Sequence, residues 1–466
     1  MQQEITFGTE GWRGIIGKDF THENVCVIAQ AYADFLTAKH ADTAKVVVGY
    51  DARFMSEEYA WEFAKVLAAN GVNVFLCKKM VATPVLSFAV LSLKAAGGVM
   101  ITASHNPPKY NGIKFKASYG GPETEEVISE ISAFLYKSRV RNIPLPGRMA
   151  QYSADAEYLN ALNQLIDVKK IKKARLKIVL DAMHGSGSGY ISRFLAMHGI
   201  AHTIVRAEAN PTFGGISPEP IEKNLKVLKD AVNEKRAHVG LATDGDGDRI
   251  GAIDRDGSFI NAQQIYALIL KYCFHKEILE QGVGKTFSTS CMIDKIAAQN
   301  GKKVYETPIG FKHLAKLFLT KEISIGGEES GGIGIKIHIP ERDGILNALL
   351  LLEYMAETGK TLKMLSHDVW KDIGPHYYGR RDLPMQAIDG QSTLHSLIEY
   401  GFPWRASELD LKTLDGVKWI WPGSAWVLFR PSGTEPIMRI YAEAETPETV
   451  NQLLKQGEML TKEMDS

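Results

Sequence analysis

The chain is 466 residues long, 45% hydrophobic and 23% charged, and its 54 basic and 54 acidic residues cancel to a formal net charge of zero. That balance belongs to a soluble folded protein and excludes a global field that would attract nucleic acid or an anionic membrane, so any anion site must be local. The length exceeds what one core covers and points to about three domains.

Cys26, Cys77, Cys273 and Cys291 are scattered and form no C-x-x-C pair, which argues against a disulfide framework or a zinc cluster and for a reducing, cytoplasmic setting. The opening MQQEITFGTEGWRG lacks the apolar core of a signal peptide. The most apolar helical stretch, ILNALLLLEYMAE, is interrupted by Asn347 and Glu353. It is too short to span a bilayer and reads as a buried helix.

In chain order, strands are predicted at KVVVGYD (45–51), NVFLC (73–77), GVMITA (98–103), KIVLDA (177–182), HVGLATD (238–244), TFSTS (286–290) and ISIGGE (323–328). Amphipathic stretches lie between them, such as EEYAWEFAKVLAANG, which Gly71 closes in the C′ position. Apolar strands separated by helices imply parallel sheets covered on both faces. The last ninety or so residues differ: VKWIWPGSAWVLFRPSGTEPIMRIYAEAET predicts antiparallel pairing, and a helix, ETVNQLLKQGEMLTKEM, follows it. Pro/Gly-rich or turn-rich boundaries fall at 141–150, 254–259 and 372–384.

Four loops carry chemistry. In TDGDGDRIG (243–251), Asp244, Asp246 and Asp248 are spaced by glycines that let all three carboxylates turn inward. Unpaired, they would repel one another, and a hard divalent cation, Mg²⁺ or Ca²⁺, resolves that. An EF-hand fails, because Arg249 stands where its Gly is needed and Arg255 where its Glu is. The second loop is ITASHNPPKYNGIKFK: a phosphoryl group on Ser104 would be a further ligand for that cation, with His105 and Lys114 supplying positive charge or proton transfer. Ser104 and His105 are not expected to form a protease-type pair, since sequence neighbours seldom point at one another. In IGGEESGGIG (325–334), Glu328, Glu329 and Ser330 offer acceptors and a hydroxyl suited to vicinal sugar hydroxyls. In FRPSGTEPIMR (429–439), two arginines, two hydroxyls and Gly433 suit a phosphate nest. LDAMHGSGSGY imitates a dinucleotide loop but has Tyr190 where the last glycine of G-x-G-x-x-G belongs, and no P-loop is present, so no nucleotide cofactor is expected.

Taken in this order, TASHNP, DGDGDR, GEESG and RPSGTEP resemble the α-D-phosphohexomutase superfamily, with the resemblance running from GTEGWRG to the final antiparallel unit. The resemblance implies three α/β units with mixed, mostly parallel sheets and a C-terminal α+β domain around a central cleft, here 1–148, 149–256, 257–373 and 374–466. It implies that Ser104 is the phosphoserine and that Asp244, Asp246 and Asp248 hold Mg²⁺ together with the Ser104 phosphate. Arg13 and Lys114 would stand beside the transferring group, with Lys114 as general acid or base. Glu328 and Ser330 would grip sugar hydroxyls. Arg430, Ser432, Gly433, Thr434 and Arg439 would hold the non-reacting phosphate, with Arg249 and Lys312 as further substrate contacts. Dual-specificity relatives continue G-E-x-S-G-H, whereas Gly332 stands here. G-E-E-S favours glucose phosphates, with phosphomannomutase or dual activity as the alternative. A phosphatase or a non-catalytic sugar-phosphate binder are the rivals. The expected partner is a phosphosugar, with no nucleic acid and no membrane, acting on a monomer or homodimer.

Overall fold

A computed structural model describes residues 5–8, 11–40, 44–141, 147–385, 390–404, 409–432 and 437–464. The first sheet contains β1 (Gly11–Ile15), β2 (Lys45–Tyr50), β3 (Asn73–Cys77), β4 (Gly97–Ile101), β5 (Tyr110–Ala117) and β6 (Met149–Tyr152), in the order β1-β5-β4-β2-β3-β6. The inner strands are parallel, while β1 and β5 run antiparallel at one edge. β2 is buried at every position but Lys45, which is why it reads as one apolar run rather than an alternation. The helix Ser56–Ala69 ends where expected, with Gly71 at φ 88°.

The second sheet contains β7 (Ile178–Asp181), β8 (His202–Val205), β9 (Val239–Thr243), β10 (Ile250–Asp254) and β11 (Phe259–Ile260), ordered β11-β10-β9-β7-β8. The third contains β12 (Gly282–Thr286), β13 (Val304–Thr307), β14 (Ile323–Gly327) and β15 (Ile333–Ile335), ordered β13-β12-β14-β15. The fourth, wholly antiparallel, contains β16 (Tyr377–Pro384), β17 (Asp410–Lys412), β18 (Val417–Ile420), β19 (Trp426–Pro431) and β20 (Ile437–Ala444). The helix Pro447–Met464 packs against it.

Three expectations shift. The strand placed at 286–290 is β12, four residues earlier, and residues 287–289 turn away from it. Its sequence, GVGKT, hides it. Gly284 leaves room for Ile323 Cδ1 and Leu314 Cδ2, which a Cβ there would approach to 2.7 and 2.8 Å. β6 pairs with β3, so the first sheet takes in residues beyond 148. β11 pairs with β10, so the second extends beyond 256.

The apolar helix Gly344–Thr358 is buried along residues 344–355 and packs on helices of the second and third units. Its polar interruptions are each partly satisfied: Asn347 donates to the Ile333 carbonyl at 2.9 Å and Glu353 accepts from Lys276 at 2.5 Å, while Asn347 Oδ1 and Glu353 Oε2 find no hydrogen-bond partner among the described residues. One continuous core joins Val47 and Leu86, Leu180 and Leu241, and Tyr266 and Leu349 across the first three units. The fourth sheet has its own core, built on Trp419, Phe429, Met438 and Leu453. Among the described residues no helix is long and apolar enough to cross a membrane, and the four cysteines are free of disulfides.

Candidate functional site

The serine loop leaves β4 at Ile101 and holds Ser104 at φ 51°, a left-handed conformation that L-residues seldom adopt. Such strain persists only where surrounding contacts over-determine it. Here the buried Arg53 guanidinium does so, donating to the carbonyls of Ser104 (2.7 Å), Asn106 (2.6 Å), Pro107 (3.0 Å) and Tyr110 (2.8 Å). Its Nε lies 3.3 Å from Asp51 Oδ2. Thr102 donates its hydroxyl to the same Asp51 oxygen at 2.6 Å and accepts the Ser104 N–H at 2.8 Å. Arg53 was not among the expected site residues; the only local signal is a charged D-x-R step directly after a buried strand.

The acidic loop joins β9 to β10. Asp244, Asp246 and Asp248 are fully buried, and their ligating oxygens lie within 4.8 Å of one another. Both glycines of the motif are needed. Gly247 has φ 79°. At Gly245 a Cβ would stand 2.6 Å from the Ser104 carbonyl oxygen, so only glycine lets the two loops touch. They do touch: Ser104 Oγ donates to Asp244 Oδ2 at 2.9 Å, across 140 positions of sequence. The loop that imitates a dinucleotide motif buttresses this contact, with the Ser186 N–H donating to the Gly245 carbonyl at 3.0 Å.

Charge around the triad is unevenly shared. Lys114 donates to Asp246 Oδ2 (2.8 Å) and Asp248 Oδ2 (3.0 Å), and Thr83 donates to Asp246 Oδ2 (2.6 Å). Burial works against ionisation of Asp246, but Lys114 outweighs it and holds that carboxyl far below its ordinary range. Burial likewise opposes ionisation of Asp248, and Arg342 chiefly overrides it. Asp244 is pushed well up, by burial first and then by Asp248 and Asp246. Two buried oxygens, Asp246 Oδ1 and Asp248 Oδ1, have no hydrogen-bond partner among the described residues. An all-oxygen set with two orphaned acceptors and one carboxyl reluctant to ionise fits a hard divalent cation.

The other expected residues fall into three groups. Beside the triad, His105 Nδ1 lies 3.4 Å from Ser104 Oγ, so these neighbours do face each other, contrary to expectation; the left-handed turn at Ser104 brings them together. Burial, then Arg249, Arg13 and Lys114, pushes the His105 imidazole well below its usual range. Arg13 donates to Asn106 Oδ1 at 2.6 Å from the edge strand β1. Arg249 donates its backbone N–H to Asp244 Oδ1 at 3.1 Å and places its guanidinium 3.5 Å from Glu219. Glu328 accepts from Arg342, which also contacts Asp248, at 3.2 and 3.0 Å respectively. Ser330 is half-buried in the same turn.

Lys312 pairs with Glu125 of the first unit instead, lining a cavity of about 600 Å³ with Gly8 and Ser129. In the fourth sheet Arg430 and Arg439 stand directly opposite across β19 and β20, with Arg430 bonded to Asp415 at 2.9 Å. Ser432 donates its N–H to the Ile437 carbonyl at 2.9 Å. Gly433 and Thr434 lie outside the described residues.

A second cluster, Cys291, His376 and Glu443, joins the third and fourth units. Lys295 Nζ sits 3.1 Å from His376 Nε2. An ammonium can only donate, so Nε2 accepts and Nδ1–H donates to Glu443 at 2.7 Å. The thiol donates to the same oxygen at 2.8 Å. This is a hydrogen-bonded clamp whose imidazole has no lone pair left for a metal.

Models of the phosphoglucomutase/phosphomannomutase family match four segments: alpha/beta/alpha domain I at residues 4–141, domain II at 156–257, domain III at 261–373 and the C-terminal domain at 416–457. The chain is 32% identical to a phosphoglucomutase/phosphomannomutase of Thermococcus kodakarensis, with 98% of both chains covered. It is 31% identical to a phosphoglucosamine mutase of Limosilactobacillus reuteri, again with 98% of both covered. A crystal structure of a candidate phosphomannomutase from Thermus thermophilus superposes with a TM-score of 0.87 at 38% identity, covering 99% of this chain and 100% of that one.

Proposed function

Because the chain belongs to the phosphoglucomutase/phosphomannomutase family of the α-D-phosphohexomutase superfamily and is thus a phosphohexomutase, we propose that it interconverts glucose 1-phosphate and glucose 6-phosphate through a phosphoserine at Ser104. The free sugar hydroxyl attacks the phosphorus. The P–Oγ bond breaks, its electron pair returns to Oγ, and a bisphosphorylated sugar forms. The intermediate turns over and returns its other phosphate to Oγ. Proton transfer falls to His105, whose Nδ1 lies 3.4 Å from Ser104 Oγ, and to Lys114, which donates to Asp246 and Asp248. Asp244, Asp246 and Asp248 would hold Mg²⁺, which supplies neutralisation of charge on the transferring group. Arg13 adds positive charge at the serine loop. Glu328 and Ser330 receive the sugar hydroxyls, while Arg430, Ser432, Gly433, Thr434 and Arg439 receive the far phosphate, with Arg249 and Lys312 as further contacts. The need to accept the intermediate in two orientations favours closure of the fourth unit over bound substrate.

The observation that carries this reading is the 2.9 Å hydrogen bond from Ser104 Oγ to Asp244. A mannose phosphate is the second reading, favoured by the 38% identical Thermus protein. Kinetics on the 1-phosphates of glucose, mannose and glucosamine rank the sugars, with wild type and Ser104→Ala side by side. Wild type turns over glucose 1-phosphate fastest, and the alanine variant loses about 10³-fold or more in kcat. Substantial turnover by Ser104→Ala removes the phosphoserine, and free phosphate as the main product makes the protein a phosphatase.

A further inference from the structure

Residue 332 is the second of two glycines that follow the polar run Glu328–Ser330, and the structure supplies a reason. A Cβ there would lie 2.3 Å from Arg342 Cδ and 3.0 Å from its Cγ. The stem of Arg342 therefore runs through the space that a side chain at 332 would fill. Arg342 starts from a firmly held point. Its own N–H donates to Glu341 Oε1 at 2.9 Å, and Glu341 is paired with the buried Lys116 of the first unit. The next residue, Asp343, caps the helix Gly344–Thr358 through the N–H groups of Ile345 and Leu346 and accepts from Tyr158 at 2.7 Å. From this anchor the guanidinium, on a residue only 3% exposed, reaches two loops at once: Nη2 stands 3.0 Å from Asp248 Oδ2 and Nη1 3.2 Å from Glu328 Oε2.

We propose that Arg342 is a positioning residue that couples the acidic loop to the sugar loop. One planar fork fixes the rotation of both carboxylates. On Asp248 it shares Oδ2 with Lys114 and so leaves the partnerless Oδ1 as the oxygen presented to a cation. On Glu328 it fixes the carboxylate that faces a sugar. A guanidinium can hold two acceptors in one plane, whereas an ammonium of similar reach cannot reproduce that fork. Gly332 is then part of the same device, kept empty for the stem. This inference rests on the reading of Asp248 as a metal ligand and Glu328 as a sugar contact.

The test uses the full-length enzyme and Arg342→Met, Arg342→Lys, Gly332→Ala and the Gly332→Ala/Arg342→Met pair. Mg²⁺ affinity is read by calorimetry without sugar, KM and kcat on glucose 1-phosphate, and folding by melting temperature. Arg342→Met raises both the Mg²⁺ Kd and KM by about tenfold, the scale of losing hydrogen bonds to charged groups. Arg342→Lys recovers one constant and not both. Gly332→Ala, which displaces the stem while leaving the guanidinium in the chain, reproduces the methionine variant, and the pair is no worse than either single change. Constants within about twofold of wild type in Arg342→Met, or fully additive effects in the pair, overturn the coupling. A lowered melting temperature with both constants unchanged does so too, since it marks packing alone. Should Arg342→Met fail to fold, Gly332→Ala decides by the same two constants. Asp248→Ala separates the underlying reading: if it keeps Mg²⁺ affinity, the metal assignment falls, whereas if it loses affinity while Arg342→Met does not, only the coupling falls.

Discussion

One methyl group at residue 245 tests whether the serine and acidic loops must touch for the enzyme to work. In Gly245→Ala the new Cβ would sit 2.6 Å from the Ser104 carbonyl oxygen and 3.0 Å from Pro218 Cγ. A carbon–oxygen contact relaxes to about 3.3 Å, so the loops must part by roughly 0.7 Å. The serine loop cannot give freely, because the same carbonyl accepts from Arg53 at 2.7 Å. Gly245 lies outside the left-handed region, so alanine brings no backbone penalty of its own. The displacement falls on the 2.9 Å contact between Ser104 Oγ and Asp244. A shift approaching 1 Å at reacting groups costs up to about 100-fold, so kcat should drop about 10- to 100-fold. Overpacking should destabilise the fold by about 1–3 kcal/mol. A coupled assay of glucose 6-phosphate formation measures the first and thermal melting the second. Gly189→Ala is the control: its Cβ meets nothing within 4 Å, and it should stay within about 0.5 kcal/mol of wild type with unchanged kcat. Wild-type kcat in Gly245→Ala would refute the claim that loop contact sets the reaction geometry.

Arg53→Met strips a buried ion pair of one partner and four loop carbonyls of their donor. Denaturant melts should show a loss of about 3–5 kcal/mol, and a loss below about 1 kcal/mol would mean the loop holds itself. Glu123 supplies a pH signature: burial pushes its carboxyl up to about 7. The folded chain therefore holds this proton more tightly than the unfolded one. The resulting stability is complete below about pH 4.5 and is lost as pH rises through about 7. Glu123→Gln stays neutral throughout, so it should match wild type near pH 4.5 and exceed it above pH 7. The ceiling is about 3 kcal/mol, reduced to about 1–2 kcal/mol because the residue is only partly buried. A gap between the two proteins that does not change with pH would contradict this.

The acidic triad was legible in the letters because it is locally encoded. Ser104, three residues past β4, is named by the family resemblance, whereas Asp244, Asp246 and Asp248 alternate with glycines inside five residues, so residue type and short-range geometry suffice to single them out. The same holds for β2, whose continuous apolar run follows from cover on both faces, and for the apolar stretch that forms the helix Gly344–Thr358. What the letters could not carry is partnership over long distance. Thr83 meets Asp246 across 163 positions and Lys114 meets it across 132. Arg53, in a short polar loop, and Arg342, in the charged run P-E-R-D-G, belong to no motif. Arg53 is buried because the serine loop of its own unit takes its donors, and Arg342 because the second unit supplies Asp248. Lys312, which the family resemblance names as a substrate contact, also pairs with Glu125 where the first unit packs against the third, a partnership no local pattern announces. Local sequence decides which groups a loop presents. Only the continuous apolar core that joins the first three units decides which loops meet, since the energy that joins them comes from apolar surface far from the charges themselves.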